Sequence, residues 1–302
     1  MNSQYSVRTD PPTLANPDET IERLETFILR SVRVADADRA IVNLSGGIDS
    51  TVTATLATSA LGSESVTGLI LPSEVNEDKN IDDARQVAEE LVIDYRVIEL
   101  QELIDTFVKT ASSETRRLQA DPYKQRSSTV TVPTKHRQQF PMAVGNVAAR
   151  LRMAIAYFEA NTTNGIVLGT GNRSELLLGY FTKYGDGAAD ILPIGDLYKT
   201  EVREVARALD VRQAIIEKPP TAGLIEGQQD EIELGAPYDR IDTILWNLCE
   251  NDVPVAAIGD ELDIETEEVE YFARLLETER HKRELPPTPV LTSERPIERA
   301  TE

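Results

Sequence analysis

Thiol chemistry is nearly absent from this sequence. Cys249 is the single cysteine among 302 residues, which excludes an intramolecular disulfide and a cysteine-built zinc site. Long apolar runs are missing too. None approaches the ~20 residues needed to cross a bilayer, and the opening stretch MNSQYSVRTDPPTLANPDET lacks the apolar centre of a signal peptide. The expectation is a cytoplasmic protein with no membrane partner, in which the sequons at Asn43, Asn161 and Asn172 carry no meaning. Positive charge is also scarce: 31 basic residues, only eight of them lysine, face 52 acidic ones, for a net charge of -21. Such a surface repels nucleic-acid phosphates, so no nucleic-acid partner is expected. Molar salt shortens the screening length to about 3 Å and relieves the self-repulsion. A salt-adapted protein is therefore expected, the plainer alternative being an acidic protein with no such adaptation.

What is present reads as alternating strands and helices. Residues 1–17 are polar and proline-bearing, and are read as a loose arm. Asn16 and Pro17 then suit a helix cap and first turn, followed by Ile21, Leu24, Ile28 and Val32 at helical spacing. The run Ala40 to Leu44 predicts a strand, closed by a glycine turn and a helix from Asp49. Further strands are predicted at Val66–Leu71, Tyr95–Leu100 and Gly165–Gly169, with helices between them. Residues 119–141 lack periodicity and carry Lys124, Arg126, Lys135 and Arg137, a loop that could order over an anionic ligand. A short helix over Ser174–Leu178 and another from about Lys199 to Leu209 precede a largely helical remainder. The pattern implies an α/β fold, a doubly wound parallel sheet with helices on both faces and a helical C-terminal part. One domain is expected over 18–288, with 289–302 as a mobile tail. Ligands in such folds sit beyond the carboxyl ends of the strands, where both glycine-rich segments fall.

The first of these is Asn43-Leu44-Ser45-Gly46-Gly47-Ile48-Asp49-Ser50. Glycines at a strand-to-helix turn let backbone N–H groups approach phosphate oxygens, and the helix N-terminus adds favourable partial charge. Asp49 would repel a bare phosphate, which suggests a magnesium ion between them. The segment is not a Walker A motif, since the lysine after the second glycine is missing, and the three-glycine dinucleotide spacing also fails. A plain strand-to-helix turn remains the alternative.

A serine-flanked Gly-Gly of this kind after an apolar strand resembles the pyrophosphate loop of the ATP pyrophosphatase superfamily, whose members adenylate a substrate and release pyrophosphate. The second segment narrows the choice. Leu168-Gly169-Thr170-Gly171-Asn172-Arg173-Ser174-Glu175 and Gly179 through Asp190 (GYFTKYGDGAAD) closely resemble the NAD synthetase family. So do Gly145 to Met153, Lys218 to Leu224 and Thr278 to Arg283, all in the family's order. The resemblance covers about residues 20 to 288. It implies a Rossmann-like sheet and ATP-dependent amidation of deamido-NAD by ammonia, giving NAD, AMP and pyrophosphate, with ATP as co-substrate and Mg2+ as cofactor. It also implies a homodimer. Residue by residue, it assigns Asn43 to Ser50, Thr170, Lys199 and Thr221 to ATP, and Asp49 and Glu175 to the metal. Arg150, Lys183, Asp190, His281 and Lys282 are assigned to deamido-NAD. Arg152, two residues along the same helix, competes with Arg150. Many bacterial members read Gly-Thr-Asp-His-Ala-Ala-Glu where this chain has Gly169 to Glu175, a departure that leaves Thr170 and Glu175 in place and the residues between them without a role.

Plainer readings stand beside these. Glu175 and Asp190 could be solvated acids in an acidic chain, Arg150 and Lys183 surface cations, His281 a helix-end residue and Cys249 a buried small side chain. Three functional rivals are a GMP synthetase subunit, a nucleotide-binding sensor and a nucleic-acid-modifying enzyme. Phe181 to Asp190 argues against the first, Asp49, Glu175 and Lys183 together against the second, and the charge against the third. The chain carries no glycine-framed cysteine of the glutamine-using type, so free ammonia, or ammonia from a separate partner, is the expected nitrogen source.

Overall fold

The computed structural model describes residues 5–119, 141–225 and 227–289. The loop expected over 119–141 and the tail expected from 289 lie almost wholly outside the described residues. Four strands, β1 (Arg39–Asn43), β2 (Val66–Ile70), β3 (Asp94–Val97) and β4 (Gly165–Leu168), make one parallel sheet in the order β3-β2-β1-β4. Ala40 sits opposite Val66, and Arg39 opposite Gly165. Residues alternate across a strand, so Ala40 and Val42 enter one core while Ile41 enters another. On the first face lie α1 (Pro17–Val34), α2 (Ile48–Leu61), α3 (Asp78–Glu90) and α7 (Lys199–Ala208); on the second lie α4 (Gln101–Gln119) and α5 (Pro141–Thr163). The sheet is covered on both faces, as its near-continuous apolar strands require. β3 is the exception: a charged, mostly exposed edge strand that ends at Val97, three residues short of the expected limit.

Local signals account for the element ends. Asn16 caps α1 by accepting from the Glu19 N–H, with Pro17 in the first turn. α6 (Arg173–Leu178) is held by a reciprocal capping box between Asn172 and Glu175 and stopped by Gly179 in the left-handed region. The C-terminal part comprises α8 (Gln213–Ile216), α9 (Asp230–Leu234), α10 (Tyr238–Cys249), α11 (Val255–Leu262), α12 (Thr266–Thr278) and α13 (Arg280–Arg283). It builds a further core around Tyr198, Tyr238, Ile241, Leu245 and Phe272.

Part of the segment read as an arm runs against this core. Arg8 stacks on the Trp246 ring and exchanges two backbone hydrogen bonds with the Asn247 amide. Farther along, the Pro12 carbonyl accepts from the Thr200 hydroxyl.

Candidate active site

β1 is central, with β2 on one side and β4 on the other, so the strand order reverses between β1 and β4. A crevice opens at that reversal. It is a cavity of about 390 Å³, floored by the loops after both strands and roofed by residues 218–224 and Gln228.

The loop after β1 is shaped by its own hydroxyls. The Ser50 hydroxyl donates to the Gly47 carbonyl and accepts from the Ser45 N–H, closing the turn. Gly47 heads α2 without any side-chain cap, which leaves the first N–H groups of a 14-residue helix facing the cavity. Gly46 takes φ +75°, and a Cβ there would lie 2.2 Å from the Asn80 carbonyl oxygen. Lys218 secures the same contact from behind. Its ammonium donates to the Gly46 carbonyl at 2.8 Å and the Asn80 side chain at 3.0 Å, and pairs with Asp83. Burial works against the Asp83 carboxylate, but Lys218 and then Arg212 outweigh it and hold its pKa below the ordinary value.

The loop after β4 supplies the opposing charge. Within the capping box the Asn172 N–H donates to Glu175 Oε2 at 3.2 Å and Glu175 N–H donates to Asn172 Oδ1 at 3.0 Å. This aims the other Glu175 oxygen into the cavity. Asn172 Nδ2 meanwhile donates to Asp49 Oδ1 at 3.0 Å, joining the two loops. The residue set apart from the common bacterial pattern thus has a role in this chain: Asn172 caps α6 and ties it to Asp49.

Lys199, the first residue of α7, reaches between the two acids. Its ammonium lies 2.6 Å from Asp49 Oδ2 and 3.3 Å from Glu175 Oε1, and its side chain is only 3% exposed. Burial disfavours the ammonium, yet Asp49 and Glu175 outweigh it and raise the pKa above the ordinary lysine value. Burial raises the Glu175 carboxyl in the same cluster, with Lys199 opposing and Asp49 and Asp230 adding to the rise. Asp230 itself accepts from the Ala222 N–H and from Tyr180, which holds the Thr221-bearing loop over the cavity.

Two carboxylates converging on one cation are a hard-oxygen donor set, suited to Mg2+. Among the described residues no three His, Cys, Asp or Glu side chains gather as a metal site. Two is the number expected where phosphate oxygens and water complete the shell.

The sequence-predicted residues divide into groups. Asn43, Leu44, Ser45, Gly47, Ile48, Asp49 and Ser50 line the cavity, as do Thr170, Glu175, Lys199, Thr221 and Lys282. Gly46 shapes the loop from its outer side. Arg150, Lys183 and His281 form a connected chain beside the cavity: Arg150 donates to the Lys183 carbonyl, and Lys183 to the His281 carbonyl. Asp190 is turned to the sheet edge, where it accepts from the Val167 N–H at 2.7 Å and the Tyr157 hydroxyl at 3.1 Å. Of the two competing arginines, Arg152 is the one on the cavity wall, donating to the Leu71 carbonyl and to Ser73 and Asn76. Asp186, Asp230, Asn172 and Lys218 are further site residues that spacing does not reveal. Asn172, Asp186 and Lys218 lie inside the matched segments, which pointed to their neighbourhood, while Asp230 lies outside them.

Comparison with known proteins completes the description. Residues 20–286 match the NAD synthase family model. The chain is 42% identical over 269 residues to an NH(3)-dependent NAD(+) synthetase of Thermococcus kodakarensis, covering 89% of this chain and 96% of that one. It is 41% identical over 275 residues to one from Halobacterium salinarum, covering 90% and 92%. Among solved structures it resembles an NMN synthetase from Francisella tularensis, with 35% identity, TM-score 0.73, and coverage of 91% of this chain and 98% of that one.

Proposed function

The chain belongs to the NAD synthase family, and from that premise we infer that it amidates deamido-NAD with ammonia at the expense of ATP, the closing step of NAD synthesis. The observation that carries this reading is Lys199 seated between Asp49 and Glu175 at the sheet crossover.

A carboxylate is a poor acceptor for ammonia because its oxygen leaves badly. An oxygen of the nicotinate carboxylate attacks the ATP α-phosphorus, the bond to the β-phosphate bridge breaks, and pyrophosphate departs. Ammonia then adds to the acyl carbon of the adenylate, loses a proton, and AMP is expelled. The open N–H groups at the start of α2 and the Lys199 ammonium are placed to hold the phosphates and to meet charge developing on the leaving pyrophosphate. Asp49 and Glu175 would hold Mg2+, which when bound supplies further neutralisation of phosphate charge. Asn43 Oδ1, buried on the cavity wall with no donor among the described residues, offers an acceptor to a ligand hydroxyl or amine.

Arg150, Lys183 and His281 lie outside the cavity, which supports their serving the distal half of a dinucleotide. Arg150 and His281 are exposed and Lys183 is half-buried, and with Tyr184 and Phe158 exposed nearby in sequence this also supports a second copy of the chain completing that subsite. The Francisella relative favours a second reading, in which the mononucleotide is the substrate. The test is to supply ATP, Mg2+, ammonium and either deamido-NAD or nicotinic acid mononucleotide, and to measure pyrophosphate, AMP and the amide. One pyrophosphate per NAD is expected, none in EDTA. The dinucleotide should be preferred by at least about tenfold, the worth of about 1.4 kcal/mol in distal contacts. Preference for the mononucleotide would reverse the substrate assignment, and absence of pyrophosphate with both would end the amidation reading.

The charge of -21 supports a salt-adapted enzyme, and the need for ATP supports a cytoplasmic one. Among the described residues no helix is long and apolar enough to cross a membrane. In 2 M KCl the thermal midpoint should exceed that in 0.1 M by at least about 2 °C, the shift about 1 kcal/mol produces in a domain of roughly this size. Sedimentation in the same buffers should give the mass of a dimer. Equal midpoints would remove the salt adaptation, and a monomer mass the shared site.

A further inference from the structure

Glu175 and Lys199 are 24 positions apart and sit on separate helices, yet their charged ends must meet within a hydrogen-bond length. Something has to set the two helices against each other. The residue following Lys199 is Thr200, and the residue preceding Glu175 is Ser174. The Ser174 hydroxyl and the Thr200 backbone N–H both lead away from the cavity to one side chain, Asp242 of α10, which is 0% exposed. Asp242 Oδ1 accepts from the Ser174 hydroxyl at 2.5 Å and Oδ2 accepts from the Thr200 N–H at 2.9 Å. The Ser174 oxygen accepts in turn from the Lys199 N–H at 2.9 Å. Three donors near the first turns of two helices are thus gathered by one carboxylate and one hydroxyl.

We propose that Asp242 is a positioning residue for the reaction: from the side away from substrate, it sets the register of α6 against α7 and so the separation of Glu175 and Lys199. This rests on the reading that those two residues serve ATP. The physical case is threefold. The first N–H groups of a helix have no intrahelical acceptor, so the Thr200 N–H needs one. A negative charge near two helix N-termini is favourable to both. A buried carboxylate costs folding energy unless its oxygens are met, and here each is. Burial pushes the Asp242 carboxyl up to about 6, and the Ser174 and Thr200 hydrogen bonds work against that rise by favouring the ionised form. An apolar residue of similar volume could fill the space but could tie neither helix.

The experiment compares wild type, Asp242→Asn, Ser174→Ala and the double variant. Asparagine keeps one acceptor oxygen and turns an N–H donor toward the second helix. Three readouts are taken: steady-state amidation, thermal unfolding, and calorimetric ATP affinity without divalent metal, which reports the Lys199 position directly. Asp242→Asn should lose about 100-fold in kcat, the scale of an ångström misplacement, with KM for deamido-NAD little changed. Its metal-free ATP affinity should weaken about tenfold, equivalent to about 1.4 kcal/mol. Because both substitutions cut the same tie, the double variant should be no worse than the poorer single one. A lowered unfolding midpoint with unchanged kcat and ATP affinity in the folded protein would overturn the proposal and leave Asp242 a packing residue. Should Asp242→Asn not fold, Ser174→Ala decides alone: a kcat loss of about tenfold or more upholds the tie, and wild-type kcat and affinity reject it. If wild type makes no amide at all, the functional reading fails, while the ATP titrations still judge Asp242.

Discussion

Replacing Lys199 with methionine should slow pyrophosphate release by about 10²–10³-fold, the cost typical of removing one preorganised charge-stabilising donor. The ammonium is the sole cation within hydrogen-bonding reach of both Asp49 and Glu175 among the described residues, and it projects into the cavity from the first turn of α7. Methionine keeps the unbranched apolar stem and most of the packing but removes the charge, and leaves two acids facing each other in a largely buried site. Breaking a buried pair from one side commonly costs about 3–5 kcal/mol. Part of that cost should be escaped by protonation of Glu175, whose carboxyl burial already raises. The sign of the pH dependence follows. An acid whose folded pKa lies above its unfolded value penalises folding at high pH. The penalty fades as pH falls through the raised value toward the ordinary 4.5. The stability deficit of the variant relative to wild type should therefore be larger at pH 8 than at pH 6. Rapid-quench measurement of pyrophosphate and urea unfolding at the two pH values check both parts. Pyrophosphate release within threefold of wild type would exclude Lys199 from the chemistry.

Gly46→Ala should be the most damaging change in the loop after β1, and its neighbour shows why. Gly46 combines φ +75° with a position where a new Cβ would fall 2.2 Å from the Asn80 carbonyl oxygen, a backbone atom of α3. A side chain costs about 1–2 kcal/mol in that backbone region. The collision adds roughly 1–3 kcal/mol, and it disturbs Lys218, which donates to the Gly46 carbonyl and to the Asn80 side chain. Metal-free ATP affinity and turnover should both fall, turnover by about 100-fold if the loop moves by an ångström. Gly47 has ordinary extended dihedrals, and its nearest contact is the movable Ser45 hydroxyl at 3.3 Å. Gly47→Ala should fold within about 1 kcal/mol of wild type, its effect confined to how closely phosphate approaches. Thermal unfolding of the pair separates the two roles, and equal midpoints for both variants would contradict the steric account.

Fold and site were legible in the sequence to different degrees. The four strands, their alternation with helices, the Asn16 cap and the two glycine-rich turns all arise from patterns a few residues long, and the structure has them within a few positions. The loop that lines the cavity after β1 was also legible, because Asn43 to Ser50 is one contiguous turn whose geometry is local. Arg150 and Arg152 show where legibility stops. Both lie on α5, and two helical residues point to nearly opposite sides, so the choice depends on which side of α5 the sheet and cavity occupy. The structure selects Arg152 for the cavity wall. Asp186 and Asp190 pose the same problem in a loop without periodicity: one lines the cavity and the other satisfies an N–H of β4.

The amino-acid order by itself determined the class of fold, the family and the identities of the residues at the ends of β1 and β4, since turns, caps and apolar alternation are short-range effects. What tertiary structure alone decided is which charged groups meet. Lys199 and Asp49 are 150 positions apart, Asn172 and Asp49 123, and Lys218 and Gly46 172. Their contact depends on β4 joining the far side of β1 and on α10 holding α6 against α7. Those are outcomes of apolar faces packing together and of the buried hydrogen bonds at Asp242, and no local pattern specifies them.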